Sequence, residues 1–341
     1  MNTMFCLVSR QSMANVIPVL MFKPQNVVLF ATPEEHKSAD FLENLFKSKS
    51  INVKRINGLN AYDYIGFKNA VSSSLRNSSG DVWLNVTGGT KLMALAAYES
   101  FAENDKTIIY CDTDHQKIIF LYPENKVEKI QANITIKDYL LSYGYKIQET
   151  RDVNHIRKFY DIFDYIVTNN LMQSFIRFNN LIRERFTSSQ SRYTINSSDK
   201  RFRFIKEMNN IFIEYGSPFS NNKRIELSYQ EYQHGNWLEF YTFYIYDKRL
   251  NLNPLSGVKI LNNEGIENEI DLVFLKDYKL HLVSCKSGRS NQYDLFQLET
   301  LRNITSGTFG KGIFITTKNP TSRFLDRARN LGIEVKHVIR L

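Results

Sequence analysis

Asp271 and Lys286 are residue types that hydrolyse phosphodiesters, and the chain between them has a pattern that brings them together. Residues 268–275 (Asn-Glu-Ile-Asp-Leu-Val-Phe-Leu) and 280–286 (Leu-His-Leu-Val-Ser-Cys-Lys) are short apolar runs. The polar four between them, Lys276 to Lys279, read as the turn of a β-hairpin. Adjacent strands would then carry the Asp271 carboxylate and the Lys286 ammonium side by side. A carboxylate can hold a divalent cation, and a lysine can orient the attacking water or offset charge in the transition state.

The elements around the hairpin extend the pattern. Glu239, in Gly235-Asn236-Trp237-Leu238-Glu239-Phe240, opens a helix before it. Gln297 lies in a helix after it, whose face is marked by Leu295, Leu298 and Leu301. A strand over Gly312 to Thr316, a helix from Ser322 to Asn330 and a strand from Glu334 to Ile339 complete the order. This arrangement resembles the restriction-endonuclease-like PD-(D/E)XK nucleases, whose members often carry a helix Glu and a helix Gln at these two places. The resemblance implies catalytic roles for Asp271, Lys286, Glu239 and Gln297, and a site for Mg²⁺ or Mn²⁺. One position departs from it: two residues before the lysine the family has Glu or Asp, and this chain has Ser284. A hydroxyl is a weaker ligand for a hard cation than a carboxylate. Glu239 or Glu269 could supply the missing charge, since strand alternation puts Glu269 on the same face as Asp271. Cys285 is the third candidate metal ligand with Glu239 and Asp271, although the same alternation turns it away from Lys286 and towards a core.

The first 125 residues alternate short apolar runs with helical patterns. Runs at 5–8, 27–31, 52–56, 82–86, 107–111 and 117–121 enclose helical stretches at 33–49, 61–75 and 92–103. Such alternation predicts an α/β domain with a parallel sheet covered on both faces. In open sheets of this kind, ligands bind beyond the carboxyl ends of the strands. Two loops there could do chemistry. Ser9-Arg10-Gln11-Ser12 follows the first strand, and Thr87-Gly88-Gly89-Thr90-Lys91 joins a strand to a helix N-terminus, where backbone N–H groups attract anions. Neither the dinucleotide fingerprint nor a Walker loop is present.

Loops in these two places, followed by a nuclease-like half, resemble the CARF proteins (CRISPR-associated Rossmann fold), in which a Rossmann-like sensor is fused to a PD-(D/E)XK nuclease. The resemblance implies a cyclic-oligoadenylate sensor over residues 1–135, a mainly helical basic linker over 136–225 and a nuclease domain over 226–341. It implies a homodimer that binds cyclic tetra-adenylate across its two-fold axis and cuts DNA or RNA in type III CRISPR antiviral defence. Two other readings stay open on the residues: a non-catalytic nucleic-acid-binding regulator, which Ser284 favours, and a ring nuclease that degrades its own signal.

Composition narrows the setting. The three cysteines, Cys6, Cys111 and Cys285, lack disulfide or zinc spacing, and the six histidines are scattered, which suits a reducing cytoplasm. No apolar run is both long and uncharged enough to span a bilayer. Charge is uneven: residues 1–135 hold 14 Lys and Arg against 13 Asp and Glu, and of the chain's 44 and 35 the other 30 and 22 come later. That is the footprint of a polyanionic partner. Within 151–206, Arg177, Arg183, Arg185, Arg192, Lys200, Arg201, Arg203 and Lys206 interleave with Phe175, Phe178, Phe186, Tyr193, Phe202 and Phe204. Most of those aromatics are expected in a core with the cations in water, and the Ser-rich 187–200 reads as a loop.

Overall fold

A computed structural model describes residues 1–185, 192–216, 223–228 and 235–341. Strands β1 (Thr3–Leu7), β2 (Asn26–Phe30), β3 (Asn52–Ile56), β4 (Val82–Asn85) and β5 (Ile108–Asp112) alternate with helices α1 (Met13–Phe22), α2 (His36–Ser48), α3 (Tyr64–Arg76) and α4 (Lys91–Ala102). Hairpin strands β6 (Lys117–Tyr122) and β7 (Lys126–Lys129) follow. Together they form one sheet of order β3-β2-β1-β4-β5-β6-β7, parallel as far as β5 and antiparallel beyond it. Every residue of β1 is buried, as a strand covered on both faces requires. On one face, α3 and α4 bring Phe67, Val71, Met93 and Phe101 against Phe5 and Phe30. On the other, α1 and α2 bring Val16, Leu42 and Phe46.

The middle of the chain differs from the mainly helical linker its pattern suggests. After α5 (Ile136–Leu141), strand β8 (Tyr145–Glu149) joins the edge of the C-terminal sheet beside β13 (Leu255–Asn262). Helices α6 (Val153–Arg157), α7 (Tyr160–Thr168) and α8 (Met172–Arg185) come next. Then β9 (Arg192–Asn196), β10 (Phe202–Glu207), β11 (Asn210–Tyr215) and β12 (Lys223–Ser228) form a separate antiparallel sheet. The physical reason is a period of two: in β10, Phe202, Phe204 and Lys206 are buried while Arg203 and Ile205 between them are not. The core placement of the aromatics holds for Phe175, Phe178, Phe202 and Phe204. Phe186 and residues 187–191 lie outside the described residues, and the loop expected at 187–200 is a strand over 192–196.

The C-terminal part contains α9 (Asn236–Tyr244), β13 (Leu255–Asn262), β14 (Glu267–Lys276), β15 (Lys279–Lys286), α10 (Gln292–Ser306), β16 (Lys311–Thr316), α11 (Ser322–Asn330) and β17 (Ile333–His337). Its sheet runs β17-β16-β15-β14-β13-β8. The expected hairpin is β14–β15, with Leu272 opposite Val283. Its two turn residues, Asp277 and Tyr278, both sit at positive φ (53° and 59°), the geometry that matches hairpin twist. The Tyr278 hydroxyl donates to the Ile130 carbonyl in the N-terminal half at 3.0 Å. The two halves share one continuous core: α1, α2 and α5 pack with Val258, Ile270, Leu282 and Phe314 of the C-terminal sheet. The opposite face of that sheet packs on α7, α8 and α9.

Candidate active site and ligand pocket

The hairpin does bring the predicted residues together. Glu239, Glu269, Asp271, Ser284, Lys286 and Gln297 all line one cleft of about 710 Å³ between β14, β15, α9 and α10. Asp271 is fixed by the strand ladder, accepting the Cys285 N–H at 2.7 Å. Burial pushes its carboxyl above the ordinary value and Glu269 adds to the push, while the Cys285 N–H, Ser284 and Lys286 oppose it. Burial likewise raises Glu239, and the Asp271 charge raises it further against the pull of Arg151. Arg151 reaches Glu239 at 2.6 Å and lies over the Phe240 ring. The Lys286 ammonium pairs with Asp294 at 3.2 Å. Asp294 is itself buried at the third position of α10, where it accepts the Asn291 N–H at 2.8 Å.

Arg151 and Asp294 are the two functional contacts that sequence reasoning missed. Asp294 left a signal, the Asn-x-x-Asp capping box at the start of α10. Arg151 left none, because its partner is 88 residues away.

The geometry does not favour Cys285 as a metal ligand. It is partly buried between the cleft and the aromatic core, 3.6 Å from the Thr242 hydroxyl, and desolvation holds the thiol well above its ordinary pKa. A protonated thiol does not ligate a hard cation. Among the described residues no group of three His, Cys, Asp or Glu side chains stands ready to hold a metal. The donor set nevertheless suits Mg²⁺ or Mn²⁺, which commonly take one or two carboxylates and keep several waters. Glu239 and Asp271 are the two carboxylates placed to serve, and their raised pKa values come first from desolvation, with neighbouring acidic charge adding to it.

The N-terminal half carries a second cavity, about 740 Å³, at the carboxyl end of its parallel strands. Ser9, Gly89 and Thr90 line it as expected. Thr90 caps α4 and donates its hydroxyl to the Ala61 carbonyl at 3.0 Å. Both glycines are required: a Cβ on Gly88 would stand 2.1 Å from the Leu7 carbonyl, and Gly89 has φ +73°. Thr87 holds the loop from beneath, receiving the Cys111 N–H at 2.7 Å and bonding Asn85. The buried amides of Asn85 and Asn15 join at 2.8 Å, and Asn15 donates to the Leu7 carbonyl, so the loops after β1 and β4 are one unit.

Six of the expected ligand residues stand off the cavity wall, Thr87 and Gly88 beneath the loop among them. Arg10 is exposed at the rim, 3.5 Å from Glu35. Gln11 turns towards Gly307 of the C-terminal half, Ser12 is buried below α1, and Lys91 is exposed as the first residue of α4. The loops after β2 and β3, with Thr32 to Glu35 and Gly58 to Tyr62, complete the wall and were missed. The rule that found the first two loops would have found these as well.

Comparison with known proteins agrees with both halves. The Card1 CARF domain matches residues 3–139, and the Card1-like endonuclease domain matches residues 228–337. Can2 from Sulfobacillus thermosulfidooxidans, solved in complex with cyclic tetra-adenylate, is 25% identical, with TM-score 0.76 over 98% of this chain and 95% of that one. Protein VC1899 from Vibrio cholerae shares the fold at 17% identity, TM-score 0.75, over 99% of this chain and 94% of that one. A type III CRISPR defence DNA nuclease activated by cyclic oligoadenylate shares it at 16% identity and TM-score 0.61, with 98% of this chain covering 50% of that one. No curated protein matches the sequence. With a Card1-type CARF domain joined to a Card1-like endonuclease domain on the Can2 architecture, the chain belongs to the CARF-domain endonucleases.

Proposed function

We propose that this endonuclease is switched on by a cyclic oligoadenylate bound at the CARF domain, and that it cuts nucleic acid with Mg²⁺ or Mn²⁺ held by Glu239 and Asp271. The observation that carries this is the cleft in which two half-buried carboxylates with raised pKa values face Lys286. A bound cation supplies Lewis-acid charge stabilisation at the phosphoryl oxygens. Lys286, steered by Asp294, contributes a fixed positive charge next to it. Ser284 replaces a ligand with a hydroxyl, and Glu269 at the cleft wall keeps the local charge negative.

Cyclic tetra-adenylate is the proposed activator, on the strength of the Can2 complex. The cavity suits a nucleotide: Asn60, Glu34 and Glu35 offer acceptors to an exocyclic amine, and Gly89 and Thr90 lead to the N-terminus of α4. Tyr62 at the cavity wall is 78% exposed, and Ile65 of α3 and Leu95 of α4 are 63% and 58% exposed; these apolar side chains support a homodimer closing over the ring. Among the described residues no helix is long and apolar enough to cross a membrane, and a cytoplasmic place is proposed for a protein of this role.

The test incubates the protein with labelled single-stranded and duplex DNA and RNA plus Mn²⁺, with and without cyclic tetra-adenylate. Cleavage is expected to rise at least about tenfold with the ring, which corresponds to about 1.4 kcal/mol of differential binding. Calorimetry is expected to give one ring per two chains. Equal cutting without the ring would remove the activator, and one ring per chain would remove the two-fold site.

A further inference from the structure

The cleft has a second lobe. Glu239, Cys285 and Lys286 also line an adjoining cavity of about 360 Å³, which extends between α8, the start of α9 and the turn after β15. The two lobes differ in charge. The first is lined by Glu239, Glu267, Glu269, Asp271 and Asp294 against Lys286 alone. The second is lined by Arg183, Lys286 and Arg289 against Glu239 alone. Arg183 and Arg289 are both exposed, and neither has an acidic partner among the described residues. Arg151, by contrast, is held by Glu239. The two come from distant parts of the chain and converge, with the Arg183 guanidinium 3.7 Å from where a Gly288 side chain would begin. The N-terminus of α9 opens into the same space through Asn236 and Trp237, with Gly235 as a cap that brings no side-chain acceptor.

We propose that this basic lobe binds a backbone phosphate of the substrate strand, next to the phosphate that is cut, with Arg183 and Arg289 as its ligands. The proposal rests on the nuclease reading for which strand is bound and why. Two like-charged guanidiniums left unneutralised in one concavity attract an anion, and their forked donors suit phosphate oxygens. The shared wall at Lys286 makes the lobe continuous with the carboxylate site, so one strand can run through both. The acidic lobe repels phosphate until a cation is present, so the basic lobe fixes the strand's direction across the site. Contacts of this kind position a strand without reading its sequence.

The test measures binding without turnover. Full-length Asp271→Asn protein, saturated with cyclic tetra-adenylate, is titrated by fluorescence anisotropy with short labelled single-stranded DNA, single-stranded RNA and duplex DNA over a range of salt. Adding Arg183→Gln and Arg289→Gln is expected to weaken every probe that binds by about tenfold or more. The slope of log K against log salt is expected to fall by about 0.7–0.9 for each arginine removed. The Lys pair Arg183→Lys and Arg289→Lys keeps the slope and recovers part of the affinity. Arg177→Gln, exposed on another face of α8, changes neither. Unchanged affinity and slope in the Gln pair, or no binding of any probe by the parent, would overturn the proposal. Native protein that never cuts but shows the arginine-dependent slope would overturn the nuclease reading and leave the phosphate site standing. Thermal melting of each variant separates these results from misfolding.

Discussion

The two main cavities are close in size, about 740 and 710 Å³, and opposite in construction. The CARF cavity is walled by neutral side chains, glycines and two acids, and its loops are fixed by buried, fully bonded amides. The nuclease cleft is walled by charge: five acids and a lysine, with Glu239 and Asp271 raised first by burial and then by neighbouring acids. One site has its shape completed before a ligand arrives. The other has its shape set by a β-hairpin and its electrostatics left unbalanced until a cation and a phosphate enter. Substitutions should therefore act through loop geometry in the first and through charge in the second.

The largest effect is expected in the charged site. Asp271→Ala and Lys286→Ala should each lower the cleavage rate by about a thousandfold, roughly 4 kcal/mol of barrier, because each removes a group that meets charge developing in the transition state. The double variant should be little worse than either single one, since groups acting as a unit are not additive. Ring affinity should not move in any of them. Cutting that survives in Asp271→Ala would unseat the carboxylate site, and a ring affinity that falls with it would erase the contrast between the cavities.

In the neutral site the comparable test is Asn85→Ala. Asn85 is fully buried and bonds Ala14, Asn15 and Thr87, so its loss leaves several polar groups unpaired. A stability loss of about 2 kcal/mol is expected by chemical denaturation, with weaker ring binding as the loops after β1 and β4 come apart. A variant that melts normally and binds the ring normally would show that the amide network does not hold the pocket.

This contrast also explains what could be read from sequence. The hairpin, Asp271, Lys286 and the flanking Glu239 and Gln297 were legible because period-two strands and a short turn fix side-chain positions locally. The sheet β9–β12 was not, because Arg201-Phe202-Arg203-Phe204 reads as a basic aromatic face unless its alternation is taken as a strand. In the sensor half, the strand–helix alternation gave the loop after β1 and the glycine turn. It could not show that Ser9, Gly89 and Thr90 line the cavity while Gln11, Ser12 and Lys91 do not. Those choices depend on which way each loop folds over its neighbours.

Metal dependence should show a smaller, graded effect. Glu239→Gln removes one ligand and should raise the Mn²⁺ concentration for half-maximal cleavage by about tenfold, or 1.4 kcal/mol. Arg151→Gln should lower it, because Arg151 occupies the Glu239 carboxylate that a cation would use. A companion measurement needs no turnover. Asp271 and Glu239 have folded-state pKa values above those of an unfolded chain, so their protonated forms favour the fold. That stability is present at low pH and is lost as pH rises from the ordinary carboxylate range through the raised values. Metal-free protein should melt lower on that rise, Asp271→Asn should flatten the trend, and Mn²⁺ should restore stability at the higher pH. A wild-type profile identical to that of Asp271→Asn would refute it.

The smallest expected effect is at Lys91. From sequence it is a phosphate-directed charge at a helix N-terminus; in the fold it is exposed at the first residue of α4 and lies off the cavity wall. An exposed charge acts on the ring only through screened water, so Lys91→Ala should weaken binding by about threefold at low salt, roughly 0.6 kcal/mol, and the difference should vanish at high salt. Thr90→Ala should cost more, because Thr90 lines the cavity, caps α4 and holds Ala61. The order of the two is the informative result. If Lys91→Ala proves the worse by tenfold or more and stays so in high salt, Lys91 is a direct ligand, which a second subunit closing over the exposed Tyr62, Ile65 and Leu95 would have to bring about. The CARF cavity would then depend on charge as the nuclease cleft does, and the contrast between the two sites would hold only for the isolated subunit.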